Sequence, residues 1–204
     1  MGNTISGRSF LEMETMTLLR ASDYKRMPWK NGGGETVEIA IFPPGSSVED
    51  FDWRISMATV ASDGPFSIFP GIDRTLSILQ GNGMALSIAA GDPLLLTKES
   101  PPLPFPADVP VNATLPSGPI TDLNVMTRRS TFRHVVERHS GPFSGEAAGN
   151  ITLVLALEPL TVSTGDSKSR LEKLDGLLME AGLPFSIEAD QSEDAFFLIT
   201  LEHI

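Results

Sequence analysis

A repeated segment constrains the fold of this chain more than any other feature. The four residues Gly-Pro-Phe-Ser begin at Gly64 and begin again at Gly141, 77 residues later. The pair Thr-Leu that begins at Thr75 recurs at Thr152, again 77 residues later. Two matches in one register indicate an internal duplication with a period of roughly eighty residues. We therefore expect two related halves rather than one continuous domain.

Two weaker matches extend the duplication. The tripeptide beginning at Trp53 has a counterpart at Phe132, and the tetrapeptide beginning at Asp92 resembles the one at Asp175, at offsets of 79 and 83. The second match bears on an ambiguous segment, 171–182, whose leucines have helical spacing and which ends at a glycine. The repeat instead predicts a strand at Leu177–Met179, and we adopt that interpretation.

Short strands are predicted along most of the chain. The 18 glycines and 16 prolines place turns at frequent intervals, which suits many short strands better than long helices. In Glu35–Ile41 polar and apolar residues alternate, so Val37, Ile39 and Ile41 are predicted to share one face. The predicted strands are Glu35–Ile41, Phe51–Val60, Thr75–Leu79, Met84–Ile88, Leu94–Thr97, Leu123–Arg128, Thr131–Glu137, Ile151–Leu157 and Ala195–Leu201.

These elements predict an all-β fold. A repeat of this size can close into a small antiparallel barrel, which removes exposed strand edges. Seven prolines between Pro101 and Pro119 suggest an extended connector. The predicted organisation is a disordered leader at residues 1–16, a first jelly-roll barrel at 17–115 and a second at 116–204.

Charge and cysteine content exclude several classes of partner. The net charge of -11 repels nucleic-acid phosphates and anionic lipid, so we expect neither nucleic acid nor membrane as a partner. A small anion held by one or two arginines remains compatible with it. The absence of cysteine excludes disulfides, and no basic-then-apolar signal opens the chain, so the cytoplasm is the expected location. The sequence leaves the oligomeric state open, a homodimer included.

Two polar clusters in the first half are candidates for ligand binding. Trp29, Lys30 and Asn31 precede three glycines, whose backbone could approach a ligand closely; the alternative is a flexible hairpin turn. Asp73 and Arg74 enter a predicted strand, but the positions 77 residues later are Asn and Ile. A charged pair present in one half only favours a binding role over a structural one, although exposed ion pairs of this kind are common.

A third cluster lies after the proline-rich stretch. Asp122 and Asn124 share one strand face, and Arg54 and Ser56 share a face of an earlier strand. If these faces point into a barrel they could bind a ligand, whereas outward-facing side chains would only be solvated.

Metal-dependent and nucleophilic chemistry are not expected. The three histidines, His134, His139 and His203, all lie in the second half, and His134 and His139 have opposite parity on an extended strand. There is no cysteine and no Gly-x-Ser-x-Gly motif. We predict no metal and no cofactor, and acid–base chemistry by Asp or Glu stays open.

Three blocks of sequence resemble the HutD/Ves family of cupin-like proteins. They are Met27–Thr36, the region from Asp52 to Arg74 that contains Phe66, and Gly118–Met126. The resemblance runs from about Thr17 to the C-terminus. It implies a bicupin, two tandem double-stranded β-helix (jelly-roll) cupin barrels, with a metal-free pocket in the first. The loop Ser163–Lys168 departs from the family pattern.

The resemblance also implies a role in histidine utilisation, through binding of a small pathway intermediate. Our first hypothesis is a non-catalytic protein that binds a small carboxylate-bearing metabolite, because arginine donates paired hydrogen bonds to carboxylates. The second is a metal-free isomerase or epimerase, and the third is an interaction protein with a vestigial pocket. The predicted ligand-binding residues are Trp29, Lys30, Asn31, Arg54, Ser56, Phe66, Asp73, Arg74, Asp122 and Asn124.

Overall fold

Nearly all of the ordered chain is β-structure. The computed structural model describes residues 16–29, 32–190 and 195–204. Within these ranges it contains nineteen strands and one short 3-10 helix, Ala21–Asp23. In chain order the strands are β1 (Met16–Leu19), β2 (Lys25–Pro28), β3 (Gly34–Phe42), β4 (Trp53–Val60), β5 (Gly64–Pro65), β6 (Ile72–Gln80), β7 (Met84–Ile88), β8 (Leu94–Leu96), β9 (Leu103–Pro106), β10 (Val111–Thr114), β11 (Ile120–Arg128), β12 (Phe132–Ser140), β13 (Phe143–Glu146), β14 (Ile151–Ala156), β15 (Leu160–Thr164), β16 (Ser167–Leu171), β17 (Gly176–Glu180), β18 (Pro184–Ala189) and β19 (Ala195–His203).

The strands form four antiparallel sheets. A six-stranded sheet has the order β2-β3-β4-β11-β6-β9 and faces a four-stranded sheet of order β5-β10-β7-β8. A five-stranded sheet of order β1-β17-β14-β19-β12 faces a four-stranded sheet of order β13-β18-β15-β16. We call the first pair of sheets the first barrel and the second pair the second barrel.

The two barrels repeat one strand order. Raising each strand number by eight converts β4-β11-β6-β9 into β12-β19-β14-β17, and β5-β10-β7-β8 into β13-β18-β15-β16. The barrels differ in their added edge strands, which are β2 and β3 in the first and β1 in the second. This correspondence supports the duplication expected from the sequence, and the predicted all-β fold is confirmed.

A shared apolar core joins the barrels. The six- and five-stranded sheets pack against each other through residues such as Ile55 of β4, Leu153 of β14 and Ile199 of β19, a cluster that we call the inter-barrel core. β14 is buried along its whole length because its opposite face lines the second barrel. A strand buried on both faces needs an almost continuous apolar sequence rather than alternation.

Two of the four sequence matches require correction. Leu76 faces the interior of the first barrel, whereas Leu153 lies in the inter-barrel core. Because successive strand residues alternate between faces, the register that preserves the face here differs by one residue from the predicted 77. The match of Asp92 with Asp175 is also wrong, because it equates β8 with β17, whose topological counterpart is β9. The strand predicted at Leu177–Met179 is nevertheless correct and lies in β17.

Strands cross the predicted boundary at residue 115. β11 follows it but lies between β4 and β6 of the first barrel, and β1 pairs with β17 of the second. Arg20, just after β1, forms a 2.6 Å ion pair with the buried Asp175. The segment Pro101–Pro119 is not a connector, since it contains β9 and β10; residues 129–131 link the barrels. Of the predicted leader, only Met16 falls within the described residues, and it begins β1.

Among the described residues, no helix has the length and apolar character needed to cross a membrane.

Candidate functional site

A cavity of about 750 Å³ lies inside the first barrel. Its wall includes the inward face of the six-stranded sheet, and the exposed Val48 and Ser67 border it where it meets solvent. The lining residues are Met27, Pro28, Trp29, Thr36, Val48, Arg54, Ser56, Ala58, Val60, Pro65, Phe66, Ser67, Phe69, Arg74, Asp122, Asn124 and Met126.

Strand alternation brings the polar residues of three strands together. Arg54 and Ser56 of β4 lie opposite Met126 and Asn124 of β11, and Met126 in turn lies opposite Arg74 of β6. Side chains two residues apart on a strand share a face, so these groups all point into the barrel. Residues from distant parts of the sequence therefore converge in one cavity.

A β-bulge supplies a residue that the sequence analysis missed. The register of β3 against β4 shifts between Glu38 and Ala40, and the extra residue is Ile39. Glu38 consequently reaches Arg54, whose Nε donates to Glu38 Oε2 at 2.8 Å. Beyond the bulge Ile41 pairs with Arg54 and packs with the first-barrel residues around Met126, so the prediction that Ile41 shares a face with Val37 is wrong. Bulges commonly redirect side chains in this way.

Arg74 is buried without an ion-pair partner. Its exposed fraction is 6%, and among the described residues no carboxylate oxygen lies within 4.0 Å of its guanidinium. Its Nε has no hydrogen-bond partner there, and its Nη2 reaches only Met126 Sδ at 3.9 Å. Burial lowers the pKa of Arg74 to about 10, although nearby Asp122 acts in the opposite direction. Arg74 therefore stays charged at neutral pH with hydrogen-bonding capacity unused.

Aromatic rings surround this guanidinium. Its central carbon lies 5.2 Å from the ring centre of Phe66, 5.3 Å from that of Phe69 and 5.9 Å from that of Phe105. Cation–π contact offsets part of the cost of removing the charge from water. The rings also leave the polar edge of the guanidinium without a protein acceptor, which an incoming anion could provide.

Asp122 is a buried carboxyl on the wall of the same cavity. Its exposed fraction is 1%, and Asn124 Nδ2 donates to its Oδ1 at 2.6 Å. Burial raises the pKa of Asp122 to about 7, against the opposing effects of Arg74 and of hydrogen bonds from Asn124 and Ala58. This carboxyl can therefore change protonation state near neutral pH.

Seven of the ten predicted binding residues line the cavity. They are Trp29, Arg54, Ser56, Phe66, Arg74, Asp122 and Asn124. Asp73 does not, because it points to the other face of β6 and pairs with the exposed Arg129 at 2.7 Å; this placement corrects the expectation that it would share the site. Lys30 and Asn31 lie outside the described residues.

The glycine-rich turn has a packing role. It joins β2 to β3, and a Cβ on Gly34 would lie 2.1 Å from the carbonyl oxygen of Thr59 and 3.0 Å from the Trp29 ring. Only glycine fits there, and Trp29 Nε1 can then donate to Thr36 Oγ1 at 2.9 Å beside the cavity. The close approach predicted for this turn is thus made by protein atoms at Gly34.

Phe69, Phe105 and Met126 also surround Arg74 but were not predicted as site residues. Their apolar character gives no sequence signal of a binding role. Glu38 had the polar character, but its alternation with Val37 and Ile39 gave no sign of the bulge that directs it toward Arg54.

The histidines lie apart from the cavity. His134 is held between β6 and β11, with its Nε2 2.8 Å from Thr75 Oγ1 and its Nδ1 2.7 Å from Thr127 Oγ1. His139 stacks on Phe196 in the second barrel. Within residues 16–29, 32–190 and 195–204 no group of three or more His, Asp or Glu side chains could hold a metal ion.

Comparison with known proteins identifies the family. The HutD family model matches residues 21–197, which is most of the chain. The chain belongs to the HutD family. The resemblance drawn from its sequence motifs is therefore confirmed.

Relatives of this HutD-family protein come from several bacteria. Protein Ves of Cronobacter sakazakii is 39% identical over 66% of this chain and 75% of its own length. An uncharacterised 21.2 kDa protein of the hutC 3′ region of Pseudomonas putida is 36% identical over 82% of this chain and 88% of its own. The structure of HutD from Pseudomonas fluorescens SBW25, from a formate condition, superposes with a TM-score of 0.80 at 31% identity, covering 93% of this chain and 99% of that one.

More distant structures share the fold alone. A cupin 2 conserved barrel domain protein from Leptotrichia buccalis has a TM-score of 0.60 at 12% identity and covers 95% of this chain and 100% of its own. The HutD-family chain is thus a cupin-type protein.

Proposed function

We propose that this HutD-family chain is a non-catalytic protein that binds a small carboxylate-bearing metabolite in the first-barrel cavity. One observation carries the proposal. Arg74 is a buried cation with an unsatisfied Nε and no carboxylate within ion-pairing distance among the described residues. A desolvated, unpaired charge is costly. A bound carboxylate would remove that cost through charge-assisted hydrogen bonds.

The other arginine is already paired. Glu38 accepts from Arg54 at 2.8 Å, and both side chains are largely buried. Our expectation had been that Asp73 or Asp122 would neutralise one arginine and leave the other for a ligand. Glu38 takes that role, and Arg74 is the arginine available to an anion.

The metabolic context is part of the proposal. The relative from the hutC region of Pseudomonas putida and the HutD structure from Pseudomonas fluorescens are named for histidine utilisation. We propose that the chain modulates that pathway, or related amino-acid catabolism, in the cytoplasm and without a metal or other cofactor. The ligand would be a carboxylate intermediate of the pathway.

Calorimetric titration tests the binding function. The ligands would be formate, acetate and the carboxylate intermediates of histidine breakdown, including formylated ones. Wild-type protein should bind at least one of them, and Arg74→Gln should weaken that binding by roughly 2–5 kcal/mol because a charged bidentate contact is lost. Arg133→Gln, which changes an exposed arginine of the second barrel, should leave affinity unchanged.

Stability separates a binding role from a structural one. If Arg74 is held for a ligand, Arg74→Gln should leave the stability of the free protein unchanged or higher, since an unpaired buried charge disappears. Unchanged binding together with reduced stability would assign Arg74 to the structure and overturn the proposal. Failure of every carboxylate to bind would favour the interaction protein with a vestigial pocket.

Acid–base isomerisation or epimerisation is the alternative, and Asp122 favours it. A cavity carboxyl with a pKa raised to about 7 by burial suits proton transfer at neutral pH. A second acid–base group is harder to find, because Glu38, the other carboxylate beside the cavity, is engaged by Arg54. Solvent deuterium entering a bound ligand at carbon, detected by NMR and lost in Asp122→Asn, would establish the enzyme instead.

A further inference from the structure

The charged groups around Asp122 leave a simple balance of charge. Across the sheet they are Glu38 of β3, Arg54 of β4 and Arg74 of β6; no other charged side chain among the described residues lines the cavity. Glu38 and Arg54 neutralise each other through their ion pair. The remaining groups are one guanidinium, Arg74, and one carboxyl, Asp122.

Asp122 and Arg74 do not form a direct ion pair. Among the described residues they lack any contact of 4.0 Å or less between charged atoms. Asp122 instead accepts from Asn124, while Arg74 is enclosed by aromatic rings. The guanidinium can therefore take another acceptor without breaking a hydrogen bond to Asp122.

An anion at Arg74 would change the preferred state of Asp122. A bound carboxylate and an ionised Asp122 would place two negative charges opposite one unpaired guanidinium in a buried cavity. Like charges in such surroundings favour protonation of one of them. Once protonated, Asp122 becomes a hydrogen-bond donor and needs an acceptor.

We infer that the site takes a monoanion that carries a neutral hydrogen-bond acceptor beside its carboxylate, with Asp122 taking up one proton from solvent on binding and donating it to that acceptor. This inference rests on the proposed function. With Asp122 neutral, the ligand carboxylate balances Arg74 and the cavity has no net charge. A dianion would leave one negative charge uncompensated, which excludes it.

The protonation of Asp122 requires little free energy near neutral pH, because burial has already raised its pKa to about 7. Affinity should therefore be greatest in mildly acidic solution. Above about pH 8, where free Asp122 is ionised, apparent affinity should fall by roughly tenfold per pH unit.

Titration calorimetry at pH 6 to 9 in buffers of different ionisation enthalpy tests the inference. The probes are N-acetylglycine, a monoanion with a neutral amide oxygen; pentanoate, a monoanion of similar length without that acceptor; and succinate, a dianion at these pH values. We expect N-acetylglycine to bind best and to bring about one proton per ligand at pH 8, as the coupled equilibrium requires.

Two variants sharpen the test. Asp122→Asn presents a permanent amide donor, so it should abolish proton uptake and bind N-acetylglycine more tightly than wild type at pH 9, with no pH slope. Asp73→Asn, which changes the adjacent exposed pair with Arg129 outside the cavity, should keep the wild-type slope.

The outcomes distinguish the two proposals. Carboxylate binding by wild type without proton uptake, an unchanged pH slope in Asp122→Asn, or tighter binding of succinate than of N-acetylglycine would overturn this inference and leave the binding function intact. No binding of any carboxylate, the histidine-pathway intermediates included, would overturn both.

Discussion

The two barrels share one strand order, but their interiors differ in chemistry. The first barrel holds Arg54, Arg74, Asp122 and Asn124 against a cavity. The second is filled by apolar side chains of all its strands except β13, among them Leu160, Met179, Phe185, Ile187 and Phe196.

Corresponding positions show how the difference arises. Arg54 of β4 points into the first barrel, whereas its counterpart in the repeat, Arg133 of β12, is exposed and pairs with Glu202. Phe66 faces the guanidinium of Arg74, whereas Phe143 packs on Phe185. Because the strand order is kept while the inward residues change, the fold alone does not specify the site.

Removing one charge from each barrel should give the largest contrast. Glu38→Gln leaves Arg54 buried without a countercharge, and we expect a loss of roughly 3–5 kcal/mol in the free energy of unfolding. Glu202→Gln breaks the corresponding exposed pair of Arg133, which should cost about 0–1 kcal/mol. Urea unfolding at pH 7 measures both.

The double variant Glu38→Gln/Arg54→Gln serves as a further control. Removing both charges should recover much of the stability lost in Glu38→Gln. Equal losses for Glu38→Gln and Glu202→Gln would mean that water reaches Arg54 freely, and the contrast between buried and exposed charge would fail.

The repeated phenylalanines give a second, smaller contrast. Phe143 stacks on Phe185 at 5.7 Å and meets Phe196 edge-on at 5.9 Å, so Phe143→Ala should cost roughly 2–4 kcal/mol through lost packing. Phe66→Ala enlarges an existing cavity and should cost about 1 kcal/mol or less. Thermal unfolding monitored by circular dichroism compares them; a greater loss for Phe66→Ala would show that the first barrel depends on its aromatic wall for stability.

The smallest effect concerns the junction of the barrels and appears only in acid. Burial lowers the pKa of His134 from 6.5 to about 4, so the folded protein keeps His134 neutral while the unfolded chain binds a proton. Stability should therefore fall as pH decreases from about 6.5 to 4, by ~1–2 kcal/mol at pH 5. His134→Gln should reduce this fall in unfolding free energy between pH 7 and 5.

The exposed His203 provides the control, since His203→Gln should leave the pH dependence as in wild type. If His134→Gln showed the full acid loss as well, other groups would account for it and the junction would not be the acid-sensitive part of the molecule.

Much of the fold follows from local sequence pattern. All nine predicted strands overlap strands of the structure, because alternation and glycine or proline turns determine where a strand begins and ends. The repeat predicted the second half correctly even where leucine spacing resembled a helix. Seven of the ten predicted site residues meet because inward faces of neighbouring strands are polar at Arg54, Asp122 and Asn124.

What was missed depends on pairing between distant strands. The prolines at 104 and 106 suggested a connector, yet β9 tolerates them as an edge strand, where not every backbone N–H must bond to a neighbour. The bulge at Ile39 leaves no mark in the alternation of β3, although it directs Glu38 to Arg54. Asp73 was misplaced because an ion pair with Arg129 becomes visible only once the strands are assembled.

The placement of β1 determines how the whole molecule is connected. β1 completes the five-stranded sheet of the second barrel, so the chain starts in that barrel, builds the first barrel and then returns. The first barrel is in effect an insertion within the second. The Arg20–Asp175 contact spans 155 positions and closes last during synthesis, which raises the contact order and slows folding. Cleaving the chain at residues 129–131 would leave the second-barrel fragment without β1, so neither half corresponds to a self-contained folding unit.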